Sequence, residues 1–298
     1  GEGEGEEDVE FTVEELGCVD VRVASMLSVP QSDVVCVGDN AGRLHIVSTG
    51  LSDGSAPSLT ADVFQTQGVL RGMAADPTGR ALFVTGDNDL TCLDMTLGQP
   101  VFSRPSGLQG ITRSVAVHPE CGLLAVGGSC GVVLLHDVRT ARPVRTLRPS
   151  PCGVSSLSFH PSGTRLCIGA EDSAIRVQDL LSGTATQAVL GHASTVSGLQ
   201  WGCLGGRGGE LLLSTSPRRL ALHRWSAFQH LATPQVLRTS NSPAPAILCA
   251  ALDKADMHGT ESFYASQYGE AESEYVVYGD HSGRLSVACI APEGDVEM

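Results

Sequence analysis

By side-chain type and setting, the groups that could do chemistry are three of the nine histidines, four closely spaced arginines and ten cysteines. His118 and His160 each precede a proline and lie 42 residues apart, and His192 follows a glycine. Imidazoles titrate near neutral pH and ligate metals, so such a pair would suit proton transfer or a metal centre. The identical setting of His118-Pro119 and His160-Pro161 points instead to a repeated turn. The cysteines contain no C-x-x-C pair, and Cys36 and Cys167 sit inside apolar runs. They read as core thiols in a reducing compartment, with no metal site. No G-x-S-x-G in a strand-turn-helix context and no H-E-x-x-H is found, and the glycine-rich run 205–209 lacks the Lys-Ser/Thr ending of a phosphate loop. That run reads as a widened hairpin turn. No catalytic residue and no cofactor are expected.

Arg139, Arg142, Arg145 and Arg148 recur at every third residue and form the candidate partner-binding surface. Guanidinium groups pair with carboxylates and phosphates in a fork geometry, and here they contrast with an acidic chain. The competing explanation is that they keep an exposed outer strand from pairing edge to edge. The chain of 298 residues carries 19 Lys and Arg against 33 Asp and Glu, a net charge of −14. Residues 1–20 hold nine of the acids and no base, and residues 1–10 read as an acidic disordered tail. This balance counts against a general nucleic-acid binder. The longest apolar run, Ala246 to Leu252, falls far short of the ~20 residues that span a bilayer. The chain opens on Gly1 rather than Met, which reads as a processed chain or a piece of a longer protein.

The elements that must position these groups repeat. Asp76-Pro77-Thr78-Gly79, His118-Pro119-Glu120-Cys121-Gly122 and His160-Pro161-Ser162-Gly163 are spaced by 42, and Trp201-Gly202 follows 41 residues later. Each turn separates two short apolar runs. Proline presets φ for the second position of a type I turn, and glycine suits the fourth. A third strand follows in each unit, at 44–47, 90–94, 132–137, 175–179, 220–225 and 285–290, and three of these close on Asp94, Asp137 and Asp179. Four short strands per ~40–45 residues is the period of a propeller blade. The expected blades are 18–68, 69–105, 110–148, 152–191, 192–238 and 244–290, with loop insertions at 51–67 and 256–273. The segment 11–16 is an additional strand-like stretch before the first blade.

With this pattern the chain resembles the WD-repeat family over roughly residues 11–290. Gly191-His192 matches the opening of a repeat, and Thr215 and Trp225 match its hydroxyl and Trp positions. Asp172 matches the turn Asp of the preceding blade, where Ile168 replaces the hydroxyl and Gln178 the Trp. The resemblance implies that His192, Thr215, Trp225 and Asp172 are structural members of hydrogen-bond networks within blades. It implies an all-β, WD40-like β-propeller of six recognisable four-stranded blades, a closed six or part of a seven-bladed ring. Residues 291–298 would be a short C-terminal tail. The implied function is a non-catalytic protein-interaction scaffold of a multiprotein complex in the cytoplasm or on the cytoskeleton. Its partners would be other proteins, tubulin or centriolar and ciliary proteins among them. Alternatives are a structural propeller of the microtubule, centriole or cilium from a larger multi-repeat protein, and a phosphate- or nucleic-acid-binding propeller.

Overall fold

The computed structural model describes residues 22–48, 58–182, 185–190, 192–204, 209–224, 235–239, 247–252, 274–280 and 285–290. The chain is an all-β propeller. Blade 1 contains β1 (Val23–Ser28), β2 (Val34–Asp39), β3 (Arg43–Ser48) and β4 (Ser58–Gln65). Blade 2 contains β5 (Gly72–Ala75), β6 (Ala81–Thr85), β7 (Asp89–Asp94) and β8 (Gln99–Pro105). Blade 3 contains β9 (Thr112–Val117), β10 (Leu123–Gly128), β11 (Val133–Asp137) and β12 (Arg142–Leu147). Blade 4 contains β13 (Val154–Phe159), β14 (Arg165–Ala170), β15 (Ala174–Asp179) and β16 (Ala185–Leu190). Blade 5 contains β17 (Gly198–Leu204), β18 (Gly209–Ser216), β19 (Arg219–Arg224) and β20 (Gln235–Thr239). A last sheet holds β21 (Ile247–Leu252), β22 (Glu274–Asp280) and β23 (Leu285–Ile290).

Every sheet is an antiparallel meander, with strands paired in chain order. Five sheets have four strands and the last has three among the described residues, which corrects the expectation of six four-stranded blades. The insertion expected at 51–67 is also corrected: Ser58–Gln65 is the outer strand of blade 1, with an irregular register opposite Leu44 to Ile46. Its Ser/Thr content hid it, since an outer strand buries little and needs few apolar residues. Trp201 lies within β17 rather than in a turn. Of the run 205–209, Gly209 opens β18 and pairs with Leu204 of β17, and 205–208 lie outside the described residues. Residues 1–10, 11–16, 256–273 and 291–298 lie outside the described residues.

The first-to-second and third-to-fourth strand turns lie at one end of each blade, here called basal. The second-to-third turn and the link to the next blade lie at the other, apical end. The Pro turns are basal: Gly79, Cys121 and Gly163 donate backbone N–H bonds to the carbonyls of Asp76, His118 and His160, at 2.7–2.9 Å. In blade 3 the left-handed position falls on Cys121 (φ 56°), one residue before the glycine that the spacing had singled out.

The core is a series of clusters between blades. Cys36 and Leu44 of blade 1 pack with Leu82 and Val84 of blade 2, and Phe83 of blade 2 packs with Val115 and Val126 of blade 3. Ala125 and Leu135 meet Leu157 and Ile168 of blade 4, while Cys167 and Ile175 meet Val196 and Trp201 of blade 5. Burial keeps these thiols protonated, raising Cys36 and Cys92 to about 11 and Cys167 further.

One contact recurs at the apical end. A Cβ placed on Gly38 would lie 2.5 Å from the Leu70 side chain, one on Gly127 2.6 Å from Val154, and one on Gly169 2.8 Å from Val196. Leu70, Val154 and Val196 enter the following blade and are completely buried. Each glycine therefore forms the seat for the first apolar side chain of the next blade. Gly127→Ala is expected to destabilise the chain by about 1–3 kcal/mol through overpacking. Adding Val154→Ala should recover part of that loss, and Gly122→Ala, which has nothing within 4 Å, should change little. Thermal unfolding of the four proteins checks this.

Candidate functional site

The arginine run is spread along the outer edge of blade 3. Arg139 lies in the basal turn after β11, its side chain 88% exposed and 3.6 Å from Asp137. Arg142 opens β12 opposite Asp137 and is exposed. Arg145 is half-buried and donates to the Leu180 carbonyl, so it ties blade 3 to the basal turn of blade 4. Arg148 lies past the apical end of the strand. It lines a cleft of about 350 Å³ together with Cys130, Gly131, Val132, Pro149, Ser150 and Pro151. A strand rises ~3.3 Å per residue, so Arg142 and Arg148 are separated by roughly 20 Å. The run therefore divides into an exposed basal pair, an interblade tie and an apical guanidinium.

Three basal turns share one geometry. Asp94 accepts from the Thr96 and Leu97 amides, Asp137 from those of Arg139 and Thr140, and Asp179 from those of Leu181 and Ser182, at 2.8–3.1 Å. These bonds, the Thr96 hydroxyl first among them for Asp94, hold all three carboxylates below the ordinary Asp range. The Asp that closes each third strand is thus a turn fastener.

In blade 5, His192 sits 2.9 Å from both Ser214 and Ser216, and Ser214 is 2.8 Å from His223. Thr215 points to the opposite face, where it meets the Ser197 hydroxyl at 3.1 Å. Strand alternation has period two, so a one-residue misplacement exchanges the faces. Pairing gives the correct register: Leu212 faces His223 as Leu166 faces Gln178 and Leu124 faces His136. His223, and not Trp225, therefore stands where the family places its Trp, and Ser214 stands in line with Ile168. Trp225 itself lies outside the described residues. Asp172 belongs to another group: it takes two bonds from Arg176, at 3.0 and 2.6 Å, and one from Ser150. The Arg176 guanidinium, working against partial burial, keeps Asp172 below the usual carboxylate range. His223 and Ser214 were missed by sequence reading, although His136-Asp137 at the end of β11 was a signal for the first.

His118 and His160 serve turns and blade contacts. The His118 ring accepts the Glu120 amide on Nδ1 and places Nε2 2.9 Å from the Gly163 carbonyl of the next blade. This geometry calls for the neutral Nε2–H form. His118 also meets Phe159 edge to face, as His160 meets Trp201, with centroids 5.2 and 4.5 Å apart. On the inner strands β1, β5, β9 and β13, the residues that retain exposure include Ala24, Met26, Ala74, Ala75, Val117, Ser155 and Ser158. Arg113 is there too, paired with Glu171 of the next blade. Among the described residues no group of three or more His, Cys, Asp or Glu is placed to hold a metal.

The family model described as "WD domain, G-beta repeat" matches residues 141–179, from the outer strand of blade 3 to the third strand of blade 4. Residues 141–179 thus match a WD repeat. The mouse "Echinoderm microtubule-associated protein-like 2" is 34% identical over 138 residues, which cover 44% of this chain and 21% of that protein. The maize "Guanine nucleotide-binding protein subunit beta" is 33% identical over 119 residues, 37% of this chain and 31% of the relative. The chain thus spans a fifth to a third of the length of these relatives. A chain of the solved "Mitotic Checkpoint Complex" superposes with a TM-score of 0.64 at 15% identity, covering 95% of this chain and 83% of that one. That likeness concerns the fold alone.

Burial, with the nearby Arg219 charge adding to it, depresses His192 to about 4. The unfolded imidazole titrates near 6.5, so between these values the unfolded state binds more protons and stability falls as pH drops. Unfolding midpoints measured from pH 7 to pH 4.5 should decline, and His192→Gln should flatten that slope.

Proposed function

We propose that this WD-repeat propeller is a non-catalytic protein-interaction scaffold within a multiprotein complex. The observation that carries this reading is how the polar groups are used. The carboxylates and imidazoles described above are spent on fastening turns, strands and blades, while the exposed inner-strand positions are mostly Ala, Val and Ser. A reaction centre needs converging acid, base or nucleophile groups with free functional atoms. A scaffold needs a rigid frame and outward-facing turns, and loops carried on a rigid frame are where contacts are made. The reading takes residues 11–290 as one propeller, with 1–10 and 291–298 as tails, and places it in the cytoplasm.

A second reading, a propeller attached to the microtubule cytoskeleton, is favoured by the microtubule-associated relative. For an acidic chain this would require a local basic face, such as Arg139 and Arg142. Cross-linking capture with the folded full chain tests the first reading: a defined set of retained proteins, lost when the bait is heat-unfolded, is the expected result. An empty capture alongside turnover of a substrate would overturn it. Co-sedimentation with microtubules over a salt series tests the second, with binding expected to fall steeply as salt rises.

A further inference from the structure

We propose that the basal outer edge of blades 2 to 4 is a docking surface for an acidic, apolar-anchored segment of another protein. This inference rests on the scaffold reading and names its surface and the chemistry of its partner. Leu97, Arg139 and Leu181 lie in three consecutive basal turns, Leu97 three residues after Asp94 and Arg139 and Leu181 two residues after Asp137 and Asp179. Leu97 and Leu181 are 71% and 83% exposed, and the Arg139 side chain 88%. Because Asp94, Asp137 and Asp179 fasten the backbone beneath these tips, the side chains are presented on fixed supports. Fixed supports cut the ordering cost of binding.

The outer strands between the tips add Val101 and Val144, 64% and 58% exposed. Of the eight exposed large hydrophobics among the described residues, four therefore lie on this edge, which is the concentration expected of an interaction surface. The edge is continuous across the blades: Arg145 bonds the Leu180 carbonyl, and Phe102 of β8 packs on the same cluster as Val138, beside Arg139. Its carboxylates are turned onto backbone amides, whereas Arg139 and Arg142 face outward at its centre. Apolar anchors on either side of two guanidiniums complement a segment whose carboxylates lie between apolar side chains. The contrast with a chain of net charge −14 directs such a segment to this edge.

The test uses the full chain and three labelled peptides roughly 18 residues long, with Leu at helical spacing and Glu, Gln or Lys elsewhere. The wild type is expected to bind the Glu peptide about tenfold more tightly than either counterpart. Arg139→Glu with Arg142→Glu, and separately Leu97→Ser with Leu181→Ser, should each weaken it about tenfold with unchanged thermal midpoints. Arg148→Glu, at the apical end, should leave it unchanged. Equal binding of Glu and Gln peptides, binding of none, loss with Arg148→Glu alone, or tighter binding of a single-stranded oligonucleotide would each overturn the proposal. The scaffold reading stands or falls separately, on whether the wild type captures proteins in the cross-linking experiment.

Discussion

The arrangement depends on one repeated contact, an apolar side chain at the start of a blade seated on a strand-ending glycine of the blade before it. Leu70 on Gly38, Val154 on Gly127 and Val196 on Gly169 are the described cases. Burying a side chain of this size contributes roughly 1.5–3 kcal/mol, and the close approach is open only where no Cβ intervenes. The contact also sets how each blade meets its neighbour, which brings Cys36, Ala125 and Cys167 to face the next blade. Blade 2 departs from this pattern: Thr85 holds the position opposite Leu90 and bonds the Gly72 carbonyl, so the small residue moves to the facing strand.

A frame fastened in this way leaves its turn tips free to differ. Asp94, Asp137 and Asp179 do the same work in three blades, while the exposed tips of those turns differ: Leu97, Arg139 and Leu181. The carboxylate satisfies the amides whatever side chain the tip carries, so the tip contributes nothing to the turn and is available for a partner. The polar networks inside the blades show the opposite behaviour. Blade 5 keeps a chain from His192 through Ser214 to His223, whereas blade 4 fills the corresponding strand position with Ile168 and relies on apolar packing. Both solutions hold a four-stranded sheet, because hydrogen-bonded networks and apolar contacts can substitute for each other.

Much of the fold was legible in the residues, and the reason is local. Turn chemistry at Asp76-Pro77, His118-Pro119 and His160-Pro161 acts over four residues, so its 42-residue spacing shows directly in the chain and announces the blades. The third strands and their closing Asp were equally readable, since alternation and an Asx turn are also short-range. The outer strand Ser58–Gln65 was not, because a polar edge strand is specified by the sheet it joins.

The amino-acid sequence by itself determined the repeat, the strand order within each blade and the turn role of the Pro-preceding histidines, all consequences of short-range backbone preference. Only the tertiary structure decided which hydroxyl meets His192, which side chain takes the family's Trp position, and how the four arginines divide. Those outcomes depend on which face of a strand a residue occupies and on what the next blade brings against it. A slip of one residue reverses the face, and contacts between blades join residues some 40 positions apart, beyond the reach of any local signal.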